Sequence, residues 1–244
     1  MFKTYFILLV FCHIMGHYYL QNENMAINKN KSNRMLMCHC LIYGGTVCLI
    51  TGLIFWKIYM SIFVLAVLSH FIIDLAKSVL FRKCKEKITN RERDIYITDQ
   101  ILHLIFLGIC AYVIRDCTVK GPVIELFNNL GIDKIVFMKI CTFIMLMHKP
   151  ANITIKRLIE GYKPLTDSVI EENKKTGAMI GTLERYVILI FLYLNQYSAI
   201  GLVLTAKSIA RYKELENKEF AEYYLTGTLL STLIVIAVYL FIVG

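Results

Sequence analysis

Long apolar stretches recur along the whole chain, and they constrain its fold more than any other feature of the sequence. A helix needs about 20 predominantly apolar residues to cross the hydrocarbon core of a bilayer. Backbone amides find no water there, so each such stretch is predicted to be helical. Seven stretches meet this condition: residues 3–20, 35–55, 58–81, 95–114, 132–147, 179–205 and 223–243. The sequence predicts an all-α, polytopic helix bundle in the cell membrane, with about seven transmembrane helices.

The composition supports a membrane protein and argues against nucleic acid as a partner. Of the 244 residues, 57% are hydrophobic and 18% are charged, whereas soluble domains carry about 25% charged residues. The net charge of +9 comes from lysines and arginines gathered in short connectors, not from one basic face. Such connectors suit anionic lipid headgroups. Membrane lipids are therefore predicted partners, and nucleic acid is not.

The basic connectors also predict an orientation and a division of the chain. Those after the first, third and fifth predicted spans are rich in lysine and arginine, which places them on the cytoplasmic side. The connector after the sixth span, with Lys207 and Arg211, would then lie outside. Either that span is not a simple crossing, or its basic residues fold back against the protein. We expect a four-helix membrane core over residues 1–115 and a C-terminal membrane region over residues 116–244, with about three further spans and a basic cytoplasmic loop.

Ionisable and amide side chains lie at matching ends of the first four predicted spans. Because the chain reverses direction at each crossing, the end of one span and the start of the next fall in the same leaflet, here the cytoplasmic one. Ionisable residues within spans are costly and by default mark a functional site. The residues expected to converge at this depth are His13, His17, Gln21, His39, His70, Asp74, Lys77, Asp99, Gln100 and His103.

The spacing of these residues favours a metal site. Three pairs, His13/His17, His70/Asp74 and Asp99/His103, are four residues apart, so both members of each pair share one helix face. Helical zinc sites use such pairs. Together with His39 they give seven candidate ligands, enough for two ions that share a carboxylate or for one ion with additional orienting residues. Imidazole and carboxylate ligands suit zinc first, with manganese or iron as alternatives.

Two other hypotheses explain the same residues without a metal. Polar side chains within spans often form hydrogen bonds between helices and hold them together. Chains of aspartate and histidine also relay protons in transporters. Glu184, at the start of the sixth predicted span, either forms an ion pair, or acts as a general acid or base, or binds a substrate headgroup.

Several of these motifs resemble an uncharacterised bacterial family of polytopic membrane proteins, known as domain of unknown function 3307. The N-terminal likeness lies in the runs 13–21, 70–77 and 99–103, with Asn28, Lys29 and His39. Later runs, at 181–185, 206–211 and 222–228, resemble the C-terminal part of longer members. The family commonly has aspartate where this chain has His17, and both residue types bind metals. The resemblance implies no activity.

The leading functional hypothesis is a metal-dependent membrane hydrolase that acts on a lipid or lipid-linked substrate at the cytoplasmic leaflet. The predicted metal ligands are His13, His17, His39, His70, Asp74, Asp99 and His103. Gln21 and Gln100 would orient ligands or water, Lys77 would bind phosphate or carboxylate, and Glu184 would assist as acid or base. The alternatives are a proton- or ion-coupled transporter and a non-catalytic membrane scaffold or accessory protein.

Overall fold

The computed structural model describes residues 1–55, 60–83, 91–117, 121–162 and 174–243, and all the regular elements in these ranges are helices. In chain order the α-helices are α1 (Phe2–Ile14), α2 (Glu23–Asn28), α3 (Asn33–Phe55), α4 (Met60–Lys83), α5 (Glu92–Val113), α6 (Pro122–Asn129), α7 (Lys134–Met147), α8 (Lys149–Ile159), α9 (Lys174–Tyr193), α10 (Tyr197–Ile209) and α11 (Lys218–Ile242). A π-helical turn, Met15–Tyr19, continues α1, and short 3₁₀ turns occur at Glu160–Tyr162 and Glu214–Glu216. The predicted all-α class is confirmed.

Within the described residues, five helical segments are long and apolar enough to cross a membrane: Asn33–Phe55, Phe63–Lys83, Glu92–Val113, Thr176–Tyr193 and Lys218–Ile242. They support the predicted membrane protein, but they do not confirm the count of seven. The first predicted span is divided between α1 and the π-turn. Helix α7 has 14 residues, which at 1.5 Å per residue is about two thirds of the hydrocarbon thickness.

The sixth predicted span is wrong as a single helix. Helix α9 ends at Tyr193 and α10 begins at Tyr197. Between them Asn195 has a φ of 57°, a left-handed conformation that asparagine adopts more readily than most residues. Nζ of Lys207, near the end of α10, lies 2.5 Å from Oε2 of Glu184 in α9. Helix α10 therefore runs back along α9, which places Lys207 beside Glu184. The sixth predicted span is not a simple crossing.

The helices form two compact units, Met1–Thr142 and Phe143–Gly244, whereas the sequence placed a division after residue 115. In the first unit α6 packs against α3. The backbone amide of Gly121 donates a hydrogen bond to the Ile54 carbonyl at 2.8 Å, and a Cβ at Gly121 would lie 2.1 Å from the Leu53 carbonyl oxygen. Only glycine fits there, and this contact keeps α6 with the first unit.

The apolar core of the first unit lies between α1, α3, α4 and α5, around buried residues such as Leu9, Val47 and Ala111. The core of the second unit includes Phe143, Ile188 and Val235. Parts of the predicted basic connectors, at Lys85, Lys87 and Lys163, lie outside the described residues, as do positions 58 and 59 of the third predicted span.

Candidate metal centre

Four helices of the first unit bring five histidine rings into one cluster. His13 is on α1, His17 on the π-turn, His39 on α3, His70 on α4 and His103 on α5. Neighbouring ring centroids lie 4.7–5.7 Å apart. Four of the rings are buried and that of His17 is half-buried. The predicted convergence of these residues is therefore present in the fold.

The π-turn and a close helix contact position the rings of the first helix. A π-turn inserts one residue into an α-helix and is frequent at functional sites. Gly16, within this turn, faces α3 so closely that a Cβ would lie 3.0 Å from Cδ2 of Tyr43. The Tyr43 ring in turn stacks on His70, with centroids 3.7 Å apart and planes at 14°. Close packing of α1 on α3 thus fixes both the first-helix histidines and His70.

Asp74 is the carboxylate at the middle of the cluster. Its Oδ2 lies 3.0 Å from His39 Nε2, 3.1 Å from Lys29 Nζ and 3.5 Å from His70 Nε2. Its other oxygen, Oδ1, is buried and has no hydrogen-bond partner within the described part of the chain. The two oxygens therefore have different roles, since one is fully engaged and the other is free to accept a ligand.

Lys29 is a member of the cluster that the sequence analysis did not place in the site. It follows α2, whose first turn is capped by the Asn22 side chain accepting from the Met25 amide at 2.7 Å. Its ammonium enters the cluster, 3.2 Å from His39 Nε2 and 3.3 Å from His17 Nε2. Burial lowers the pKa of Lys29, and the neighbouring Asp74 carboxylate raises it. The only sequence signal for this role was the Asn28-Lys29 pair among the family motifs.

Hydrogen bonding fixes the tautomer of His103. Its Nδ1 lies 2.8 Å from the Asp99 carbonyl oxygen, and a carbonyl only accepts, so Nδ1 carries the proton. In a neutral imidazole this leaves a lone pair on Nε2, which is buried and without a hydrogen-bond partner among the described residues. Histidine ligands of metals are typically oriented by a bond of this kind from the opposite ring nitrogen.

Gln21 sets a different tautomer on His39. One end of its amide faces the His17 carbonyl oxygen and His39 Nδ1, each at 3.1 Å, and the other end faces the Ala26 backbone amide at 3.0 Å. The His17 carbonyl oxygen requires a donor, and the Ala26 backbone N–H requires an acceptor. The side-chain nitrogen of Gln21 therefore faces His17 and His39, and its oxygen faces Ala26. His39 Nδ1 then accepts, and its Nε2–H points to Asp74. This geometry makes His39 a support for the carboxylate.

The Asp99 carboxylate is held by neighbours on the half-buried side of the cluster. Oδ2 accepts from Lys77 Nζ at 2.8 Å and from Gln100 Nε2 at 3.0 Å. The Tyr18 hydroxyl donates to Gln100 Oε1 at 2.7 Å. These contacts hold the start of α5 and, through the Asp99 carbonyl, the His103 ring.

In the part of the chain that the structure describes, two sets of donor atoms have the spacing of a metal site, with all atoms of a set within 4.8 Å of one another. They are His39, His70 and Asp74, and His17, Asp74 and His103. In the first set the facing atoms of His39, His70 and Asp74 already contact each other at 3.0–3.5 Å. The second set includes Asp74 and His103, which have the unpartnered Oδ1 and Nε2 atoms. Both ring nitrogens of the adjacent His13 are also unpartnered in the described structure.

Leaving buried polar atoms unpaired is costly, at about 1–3 kcal/mol for each group. An accumulation of such atoms in a helical core therefore points to a bound group. The free atoms are imidazole nitrogens and two carboxylate oxygens, Oδ1 of Asp74 and Oδ1 of Asp99. Such atoms are ligands of zinc, manganese and iron. The residues thus fit a divalent ion at the set of His17, Asp74 and His103, beside His13.

Glu184 belongs to the second unit, where its carboxylate pairs with Lys207. The neighbouring Arg185 is 1% exposed and donates to Met147 O at 2.8 Å, Asn152 Oδ1 at 2.6 Å, Thr182 Oγ1 at 3.1 Å and Ser231 Oγ at 3.2 Å. The first unit contains all the other predicted site residues. A catalytic role for Glu184 stays a prediction.

The fold and the cluster define a helical membrane protein with a histidine- and aspartate-rich polar site inside its N-terminal unit. Residues 5–125 match the model of a family described as Protein of unknown function (DUF3307). This N-terminal half of the chain belongs to that family, and the resemblance seen in the motifs is confirmed there. The resemblance of residues 181–228 to longer members lies beyond the match and stays a prediction. No curated protein and no solved structure matches the chain.

Proposed function

We propose that the first unit binds a divalent metal ion and hydrolyses a lipid or lipid-linked substrate. The observation that carries the proposal is the set of buried, unpartnered atoms on Asp74, His103 and His13, next to His17. A site that only held helices together would pair its polar atoms with one another.

In this proposal one ion is held by His17, Asp74 and His103, with His13 available as a fourth ligand. His39, His70 and Asp99, also predicted as ligands, orient Asp74 and His103. Zinc is the first choice of metal, with manganese or iron as alternatives, because the set offers nitrogen and oxygen and no thiolate. The neighbouring Cys12 and Cys110 belong to the apolar core.

When bound, a divalent ion polarises an ester or phosphoryl oxygen and brings the pKa of a coordinating water near neutrality. Hydrolysis then consumes one water, breaks the ester bond and releases an alcohol and an acid. Around the ion, Gln21 and Gln100 orient their neighbours through the contacts described above. Lys77 neutralises Asp99, so that this carboxylate holds α5 without adding a second free negative charge to the site.

The placement of the half-buried residues supports a substrate that enters from the membrane interface. His17 and Gln21 are half-buried near the end of the first helix, and Lys77 and Gln100 are half-buried in the second half of α4 and the first half of α5. The fully buried His13 and His103 lie deeper in the unit. An ester near the headgroup region of a lipid would reach the site from this side, which the distribution of lysine and arginine assigns to the cytoplasm.

The proposal is tested by metal-dependent hydrolysis with the full chain purified in detergent. Protein stripped with a chelator and reloaded with zinc, manganese or iron is assayed on mixed micelles of short-chain phospholipids and lipid phosphates. We expect hydrolysis that disappears on chelation and returns with one of the metals. If stable, monodisperse protein binds no metal, the enzyme hypothesis fails and the cluster is a proton relay or a packing device.

A further inference from the structure

Lys29 is the least expected charge in the cluster, because an ammonium beside a metal site repels the ion. Its side chain is 5% exposed, and it reaches the cluster from the connector after α2. Nζ contacts Asp74 and His17, two of the three residues in the proposed ligand set. An ion held by that set therefore lies close to this ammonium.

The ionised side chains of the cluster have no net charge before an ion binds. Among the described residues, the acidic and basic side chains of the cluster are Lys29, Lys77, Asp74 and Asp99, which pair as Lys29–Asp74 and Lys77–Asp99. The four charges cancel. A divalent ion would leave two uncompensated positive charges in a buried site, where charges interact strongly.

We infer that the site takes a phosphoryl group, the dianion of a phosphomonoester, with Lys29 donating to its oxygens beside the metal. This inference rests on the proposed metal site and narrows the substrate from esters in general to phosphate esters. A phosphate dianion balances the two surplus charges, whereas a neutral carboxylic ester leaves them in place. Charge-assisted hydrogen bonds to phosphate are also about twice as strong as neutral ones.

The position of Lys29 fits this role better than a purely structural one. The Asp74 oxygen that Lys29 contacts is Oδ2, while the free oxygen is Oδ1. An ion on Oδ1 and the ammonium on Oδ2 would flank the same carboxylate, so an anion bound to the ion lies within reach of Nζ. Lys77, expected from the sequence to bind phosphate, contacts Asp99, which is outside the proposed ligand set, and is therefore less suited to this task.

Phosphate binding can be measured without an activity assay. The full chain is loaded with manganese in detergent, its metal content is determined by mass spectrometry, and inorganic phosphate is titrated while its ³¹P resonance is recorded. Phosphate next to Mn²⁺ is broadened by paramagnetic relaxation. We expect saturable broadening in the wild type. In Lys29→Gln the phosphate affinity should fall by about tenfold or more, at unchanged metal content. Lys29→Arg keeps the charge and should retain most of the affinity.

The matched control is Lys31→Gln, which removes an exposed lysine two residues away and should bind phosphate as the wild type does. Bound manganese without phosphate broadening, equal affinity in Lys29→Gln, or loss of metal from Lys29→Gln would overturn the inference. A wild-type protein without bound manganese would instead overturn the proposed function.

A second arm distinguishes a lipid phosphate from free phosphate. Dihexanoyl phosphatidic acid presents the same phosphomonoester group on a short lipid, and dihexanoylglycerol is its neutral counterpart. Displacement of inorganic phosphate by the phosphatidic acid at lower concentration supports a lipid-linked source, and displacement at equal concentration supports the phosphate group alone. Displacement by dihexanoylglycerol to the same extent would overturn the inference.

Discussion

The Arg185 network of the second unit and the histidine cluster of the first unit bury polar side chains in opposite ways. In the second unit Arg185 directs its guanidinium to oxygens of Met147, Asn152, Thr182 and Ser231. In the first unit several ring nitrogens and carboxylate oxygens of the histidine cluster have no partner within the described part of the chain. Both networks connect several helices of their unit.

This difference indicates that the Arg185 network holds helices together, whereas the histidine cluster binds a ligand. Polar networks that hold helices together are stable when each member is satisfied. The Arg185 network meets that condition, so stability accounts for it. The histidine cluster meets it only if another group supplies the missing partners. Variants of the two networks should therefore affect different properties of the protein.

The largest effect is expected from His103→Ala. It removes the Nε2 lone pair that the Asp99 carbonyl orients toward the cluster. A site that loses one of the three residues of its ligand set should lose nearly all of its metal, from about one ion per chain to less than about a tenth. Metal content by mass spectrometry checks this. The control is His148→Ala, an exposed histidine outside the cluster. Equal metal content in His103→Ala and wild type would contradict the assignment.

A smaller effect of another kind is expected from Arg185→Ala. The substitution leaves buried oxygens of Met147 and Asn152 unpaired and should lower the free energy of unfolding by about 3 kcal/mol. Denaturant unfolding in detergent micelles measures the change, with the metal content expected to stay as in wild type. Arg157→Ala, at a side chain that is 40% exposed, should cost less than about 0.5 kcal/mol. Metal loss without loss of stability in Arg185→Ala would show that the second network serves the site.

The smallest of the three effects is expected from His39→Ala. His39 supports Asp74 but is not a ligand in the proposed set, and loss of such a supporting residue typically weakens metal binding by about 10–100-fold. Competition with a chelator of known affinity measures the shift. Metal loss as complete as in His103→Ala would place the ion at the other set, of His39, His70 and Asp74.

The sequence predicts those parts of this arrangement that depend on local spacing. Apolar length locates α3, α4 and α5 to within a few residues. The four-residue spacing puts His13 and His17 on neighbouring positions, with ring centroids 4.9 Å apart. Because the chain reverses direction between α4 and α5, the His70/Asp74 and Asp99/His103 pairs lie at the same depth. These properties follow from helix geometry and need no knowledge of other parts of the chain.

The parts that the sequence did not predict depend on contacts between distant residues. In the sequence Lys29 resembles any other basic connector residue. Only the fold brings it into contact with Asp74, which is 45 residues away along the chain. The roles of His39 and His103 differ because one ring meets Gln21 and the other a backbone carbonyl. The break lies at two adjacent polar residues, Asn195 and Gln196, within a long apolar stretch, and the left-handed backbone of Asn195 is visible only in the structure.

The most direct test of the metal centre is X-ray absorption spectroscopy of the metal-loaded, full-length protein in detergent. A metal held by His17, Asp74 and His103 should show a shell of nitrogen and oxygen ligands at about 2.0–2.2 Å, with the outer-shell scattering of imidazole and no sulfur at about 2.3 Å. That imidazole scattering should disappear in His103→Ala along with the metal. A sulfur shell, or a bound metal surrounded by oxygen without imidazole scattering, would show that the ion is not held by this histidine and aspartate set.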